Sequence, residues 1–213
     1  MSIRFRTLLS SSSGNCILLQ TDDTNLLIDC GFKSQKACRA ALIEAVGAIG
    51  NIDGVVVTHN HGDHISYSSL KVLEAEGVPV YAFRKSVHQM ALKHFKGYGF
   101  RQLIVNFFEN APFSVGDFTV EPVALPHHPG MDSFGFVIRH SKDGRDYKVL
   151  TAADFSDGAA LTDHLLDADL IYIESNHDLE LLKLNFNYNS YYHMNNPATA
   201  KLLAEVLPKR QTP

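Results

Sequence analysis

Short apolar runs broken by turn-forming residues fill the first third of the chain and predict strands. Weak alternation over residues 3–9 predicts a first strand, and the polar run Ser10-Ser11-Ser12-Ser13-Gly14-Asn15 a tight turn before a second strand at 16–20. Asp22-Asp23-Thr24-Asn25 turns the chain into Leu26-Leu27-Ile28, which Asp29 and Gly31 close. The apolar period then lengthens: Ala37, Ala40, Ala41, Ile43, Ala45 and Val46 predict a helix over 34–48, with Ser34 as its N-cap. A strand at 54–57, a helix near 68–76 ended by Gly77, and a strand at 78–83 follow. Residues 85–96 read as a helix in which Lys93, His94 and Lys96 suit the negative end of the dipole.

After Gly97-Tyr98-Gly99 the pattern is β-type at 103–107, 118–124, 134–139 and 148–150, with a hairpin turn at Ser141-Lys142-Asp143-Gly144. Residues 161–166 predict a short helix and 170–173 an apolar strand. Residues 185–192, rich in Asn and Tyr, read as a loop. Residues 196–207 read as a helix with Pro197 at its first position. No repeat, low-complexity tract or linker interrupts residues 1–213, so a single domain is expected. Hairpins, then strands alternating with helices, then a second β-rich group predict an α/β fold of two packed sheets flanked by helices.

Polar residues at the ends of the apolar runs carry the chemistry, because a rigid strand is what positions a functional loop. Directly after Val55-Val56-Val57 comes Thr58-His59-Asn60-His61-Gly62-Asp63-His64, three histidines and an aspartate within six residues. Imidazole and carboxylate are the usual ligands of zinc and its first-row neighbours. In an extended loop His59 and His61 project to one side while Asp63 and His64 turn to a second point, which suits two adjacent metals better than one. Asp29, His127-His128, Asp154 and Glu174 also follow apolar runs. Any one of them alone is as well explained as a capped strand end; with the histidine loop, a shared site explains them better.

Composition narrows the partners. The net charge of −4, from 19 basic and 23 acidic residues, gives no basic footprint for nucleic acid, although metal ions can supply the charge that meets a phosphate. Cys16, Cys30 and Cys38 are odd in number and clustered early. They read as reduced residues of a cytoplasmic protein rather than a disulfide framework, and they lack the paired spacing of a zinc site. No run reaches membrane-spanning length. His88, His94, His140 and His164 read as solvated or packing residues. Tyr188, Tyr191 and Tyr192 read as packing a loop onto the domain, with base stacking as the alternative.

The heptad THNHGDH resembles the H-x-H-x-D-H signature of the metallo-β-lactamase superfamily. The matching elements run in family order from Leu26-Leu27-Ile28-Asp29 through Thr58–His64 and His127 to Thr151-Ala152-Ala153-Asp154. Ser11-Ser12-Ser13-Gly14-Asn15-Cys16, Leu27-Ile28-Asp29-Cys30-Gly31 and Glu174-Ser175-Asn176-His177-Asp178 look like the bacterial YycJ/WalJ-type branch, which is regarded as exonuclease-like.

The resemblance implies a four-layer αββα sandwich carrying two divalent ions, zinc or manganese, at one edge. One ion would take His59, His61 and His127; the other Asp63 and His64, with Asp154 bridging both. Asp29 would orient the histidine loop from behind. The family has one histidine where this chain has His127-His128. The preceding Leu125-Pro126 favours His127, and the distance to Gly135-Phe136 favours His128. In the nuclease branches, an acidic residue after a late strand pairs with a histidine before a helix, and Glu174 and His193 occupy those places. The family's last metal-binding histidine would lie beyond Lys209-Arg210-Gln211-Thr212-Pro213. The expectation is therefore a C-terminally incomplete domain lacking its last strand and helix, with His193 as a substitute ligand or a weak second metal site as alternatives.

The chemistry so implied is phosphodiester hydrolysis of DNA or RNA by a bridging hydroxide. Asp63 belongs to the catalytic set, and a Glu174-held His193 would give a proton to the leaving oxygen. His177 is a second candidate for touching substrate, balanced by its pairing with the adjacent Asp178. Two other functions stand beside this one. The same ions could hydrolyse a small ester, thioester or lactam in the manner of glyoxalase II, or the chain could be a degenerate binding module.

Overall fold

The computed structural model describes residues 3–93, 100–184 and 187–206. Contacts divide the chain into two compact units, one ending at Phe118 and the other beginning at Thr119.

In the first unit six strands lie side by side in the order β1-β2-β3-β4-β5-β6: β1 (Arg4–Ser11), β2 (Gly14–Gln20), β3 (Asn25–Ile28), β4 (Gly54–Val56), β5 (Val80–Phe83) and β6 (Val105–Phe108). The polar turn predicted at 10–15 shrinks to Ser12-Ser13, because Ser10 and Ser11 pair with Asn15 and Gly14 across the first hairpin. β1, β2 and β3 are antiparallel, whereas β3 to β6 are parallel. Parallel neighbours need crossovers, and a helix lies in each of the three. α1 (Gln35–Val46) starts at the expected cap: the Ser34 Oγ accepts the Ala37 N–H at 3.2 Å. α2 (Tyr67–Glu76) is capped by Ser66 and ends at Gly77 in the left-handed conformation. α3 (Arg84–Lys93) follows β5; His94, Lys96 and Gly97-Tyr98-Gly99 lie outside the described residues. The core of this unit packs Leu18, Leu27, Val55 and Val57 against Leu42, Leu70 and Leu73 of the helices.

A short strand escaped the sequence pattern: β7 (Phe113–Val115), only three residues long, contributes one buried side chain, Val115. β8 (Phe118–Leu125), β9 (Ser133–Lys142), β10 (Arg145–Ala152) and β11 (Leu170–Ile173) then stand in the order β11-β10-β9-β8. The β9–β10 hairpin turns through Asp143 and Gly144, both at positive φ (54° and 75°), as expected of a tight two-residue hairpin turn. β10 and β11 are parallel. α4 (Thr162–Leu165) is the short helix expected at 161–166.

Two elements of the second unit differ from expectation. α5 (Leu179–Leu184) lies outside the expected elements; its sequence LELLKL is rich in leucine, yet none of its residues is buried. The described part of the expected Asn/Tyr loop is a 3-10 turn, Tyr188–Tyr192. α6 (Asn196–Val206) is capped by Asn195, whose Oδ1 accepts the Ala198 N–H at 2.9 Å, so Pro197 is the second helical residue rather than the first. Its missing N–H is still one that the first turn leaves unpaired. The core here joins Val123, Val137 and Leu150 of the sheet to Phe155, Leu161, Leu165, Leu202 and Val206. Among the described residues no helix is long and apolar enough to cross a membrane.

Candidate metal centre

β3 and β4 are parallel, with Ile28 opposite Val56, so Asp29 and the histidine loop leave the first sheet from the same edge. The carboxyl ends of parallel strands are where α/β proteins usually collect ligands. Asp29 is 3% exposed and sits at φ 59°, a left-handed conformation that Asp tolerates better than most residues. Its Oδ1 accepts the Thr58 backbone N–H at 2.8 Å. Its Oδ2 accepts the Thr58 hydroxyl at 2.8 Å and lies 2.7 Å from His64 Nδ1.

These contacts fix two imidazole tautomers. A carboxylate can only accept, so His64 carries its proton on Nδ1 and presents a lone pair at Nε2. Thr58 spends its hydroxyl proton on Asp29, so it accepts from His59 Nδ1 at 3.0 Å, which leaves the lone pair of His59 at Nε2. That Nε2 stands 2.9 Å from His61 Nδ1. The other exit from the loop also converges: His64 Nε2 lies 3.6 Å from Asp63 Oδ2 and accepts from the Asn15 amide at 3.1 Å. Four potential ligand atoms thus converge in two pairs, His59 with His61 and Asp63 with His64. Neither Thr58 nor Asn15 was singled out by sequence as a member of the site. Thr58 at least carried a signal, being the hydroxyl that separates the strand from His59.

The main chain holds this loop in place. Cys30 N–H donates to the His64 carbonyl at 2.7 Å, Asn15 N–H to the Asp63 carbonyl at 2.7 Å, and Gly31 N–H to the Asn15 carbonyl at 2.9 Å. A Cβ on Gly31 would stand 1.7 Å from the Asp63 carbonyl oxygen, so only glycine permits this approach.

The second unit repeats the device. β8 and β10 are both antiparallel to β9, and β11 is parallel to β10, so His127, Asp154 and Glu174 follow strands that end at one edge. Asp154, like Asp29, lies at positive φ (54°) just past its strand. His127 is 9% exposed and its Nδ1 donates to the Tyr192 carbonyl at 2.9 Å, which again leaves the lone pair on Nε2. That Nε2 is 3.8 Å from Asp154 Oδ2. Burial holds the His127 imidazole below its usual pKa, only partly offset by the Tyr192 carbonyl and the Asp154 charge, so the neutral form a metal requires is favoured. His128 is exposed, its Nδ1 turned to the Pro129 carbonyl at 3.1 Å.

Glu174 and His193 come together as a pair: His193 Nδ1 and Glu174 Oε1 are 2.5 Å apart, while Glu174 Oε2 accepts the Phe155 N–H at 3.0 Å. Asp154 Oδ1 lies 3.8 Å from the same His193 nitrogen, and Asp154, Glu174 and His193 offer ligand atoms within 4.8 Å of one another. His177 stands apart. It is partly exposed, and its ring contact is with Asn176 at 3.4 Å, not with Asp178.

The donor set is imidazole and carboxylate, the chemistry that divalent zinc and manganese accept. The three cysteines are buried in the first unit, and among the described residues none belongs to a group able to hold a metal.

Residues 11–147 match the family model of the metallo-beta-lactamase superfamily, and the chain belongs to that family. It is 30% identical over 185 residues to the exodeoxyribonuclease YycJ of Bacillus anthracis, covering 86% of this chain and 67% of that protein. It is 28% identical over 188 residues to the exodeoxyribonuclease WalJ of Streptococcus pneumoniae, covering 86% and 66%. The chain thus spans about two thirds of the length of these relatives. Among solved structures, the metallo-beta-lactamase fold protein YhfI of Bacillus subtilis superposes with a TM-score of 0.69 at 22% identity, over 91% of this chain and 75% of its own. The α/β class with two sheets expected from the sequence is therefore the fold found. Family and donor set together support a metal-dependent hydrolase.

Proposed function

We propose that this chain is a dinuclear metal-dependent phosphodiesterase acting as an exonuclease on DNA or RNA, its two units working as one hydrolase domain. His59, His61, Asp63, His64, His127 and Asp154 would hold the ions, zinc or manganese. Ions bound there supply Lewis acidity and an activated water at neutral pH. Asp29 keeps the lone pairs of His64 and, through Thr58, of His59 turned towards a metal. The observation that carries the phosphodiester reading is the Glu174–His193 pair. Glu174 accepts the Nδ1 proton of His193 and is itself fixed by the Phe155 N–H, which sets the orientation of the imidazole. A histidine so held, when it carries a second proton on Nε2, can give that proton to a leaving sugar oxygen, a step that hydrolysis of an activated ester does not need. The two exodeoxyribonucleases among its relatives support the same substrate class.

The experiment is turnover of single- and double-stranded oligonucleotides with Mn²⁺ or Zn²⁺, comparing wild type with His61→Ala and Asp63→Ala. Both variants should lose turnover together with bound metal. A metal-loaded wild type that leaves nucleic acid and model phosphodiesters intact, or that turns over a thioester faster, defeats the proposal.

A further inference from the structure

Two of the three tyrosines of the 3-10 turn are not packing residues. Tyr188 and Tyr191 are 63% and 65% exposed, against the expectation that they pin a loop to the domain. They nevertheless form an ordered group. The Tyr188 ring lies 5.8 Å edge-on from both Tyr191 and Tyr192, and the Tyr192 hydroxyl donates to that of Tyr188 at 3.3 Å. The Tyr192 ring continues the surface to His128, whose ring is 4.6 Å away.

This surface is tied to the chemistry of its unit. The carbonyl of Tyr192 receives the Nδ1 proton of His127, and the next residue is His193 of the Glu174 pair. Aromatic faces therefore begin one residue from the group assigned to the leaving oxygen. Charge is consistent with a polyanion beside it. In a chain in which 20% of residues are charged, the run from Leu184 to Ala200 contains no Asp, Glu, Lys or Arg. It offers no carboxylate to repel a phosphate and no cation to hold one, only aromatic faces, hydroxyls and amides. The net charge of −4 gives the chain no overall basic footprint for the phosphates of a strand. Stacking is the source of affinity that this run can supply, and it is indifferent to sequence.

We propose that Tyr188, Tyr191 and Tyr192, with His128, form a stacking platform for unpaired bases next to the scissile phosphate, so that the substrate is a single strand. This rests on the phosphodiesterase reading.

Binding can be read without turnover, by anisotropy of a labelled oligothymidylate of about 16 nucleotides in EDTA. The double variant Y188A/Y191A should bind at least about ten-fold more weakly, and Y188F/Y191F should bind like wild type. An abasic strand of equal length should bind wild type as weakly as thymidylate binds the alanine variant. Equal affinity of wild type for abasic and thymidine strands, an unaltered affinity of the alanine variant, or no binding at all overturns the platform. A change in sedimentation on Y188A/Y191A also overturns it, because the patch is then a contact between copies. Failure of metal-loaded wild type to hydrolyse bis(p-nitrophenyl) phosphate tells separately against the phosphodiesterase reading.

Discussion

Asp29 governs His64 directly and His59 at one remove: one carboxylate oxygen lies 2.7 Å from His64 Nδ1 and also receives the Thr58 hydroxyl that accepts from His59. Asn suits the left-handed backbone at this position, but its amide cannot accept from all three donors. Asp29→Asn should weaken metal binding by about 10- to 100-fold, measured by chelator competition. Asp29→Ala should in addition lower stability by roughly 1–3 kcal/mol for each buried donor it orphans, read by urea unfolding of the metal-free protein.

Glu174→Gln keeps an acceptor for the Phe155 N–H but removes the charge that faces His193. Hydrolysis of an unactivated phosphodiester should fall by about 100-fold or more. The same variant should lose much less on a substrate with a nitrophenolate leaving group, which needs no proton. Equal losses on both substrates would show that Glu174 acts otherwise.

His127 titrates below its ordinary value because it is buried. A histidine whose folded pKa is depressed binds its proton more readily when unfolded, so it opposes folding as pH falls through its unfolded value of about 6.5. Above that pH its contribution is absent. The metal-free protein should therefore lose stability between pH 7 and about 5, and His127→Gln should flatten the slope. Urea midpoints measured across that range test it.

Burial and the neighbouring thiols act together on the cysteines. The hydrogen bond with Cys16, followed by desolvation, pushes the Cys30 thiol well up, and the contact with Cys30 at 3.9 Å, again with desolvation, raises Cys38. Native protein should show almost no rapid reaction of these thiols with Ellman's reagent, because the thiolate is the reactive form. All three should react in denaturant.

Gly31→Ala drives a Cβ into the Asp63 carbonyl, and neither main-chain segment can yield without moving the metal loop. The variant should lose more than about 3 kcal/mol or fail to fold, with its metal affinity lost in either case.

Much of this was legible because the sequence places its polar residues where apolar runs stop. Asp29, the His59–His64 loop, His127, Asp154 and Glu174 are all candidates picked out in that way, and the Ser34 cap and Gly77 stop fall where local chemistry demands. What escaped lacked a buried face or joined residues far apart in the chain. β7 buries a single side chain, α5 buries none, and Asn15 reaches His64 across 49 residues of chain. The tyrosines were misjudged because aromatic content signals burial by default, and only the fold shows that two of them face outwards.

Two main-chain hydrogen bonds, from Asn15 at the first hairpin and from Cys30 just past β3, hold the histidine loop, and a third, from Gly31 to Asn15, ties those two anchors together before any side chain is considered. The order of the ligands is therefore built during folding and does not wait for a cation. Stripping the ions should leave the slow amide hydrogen exchange of Asn15 and Cys30 in place, so the apo form is a rigid receptor rather than a domain that metal must fold.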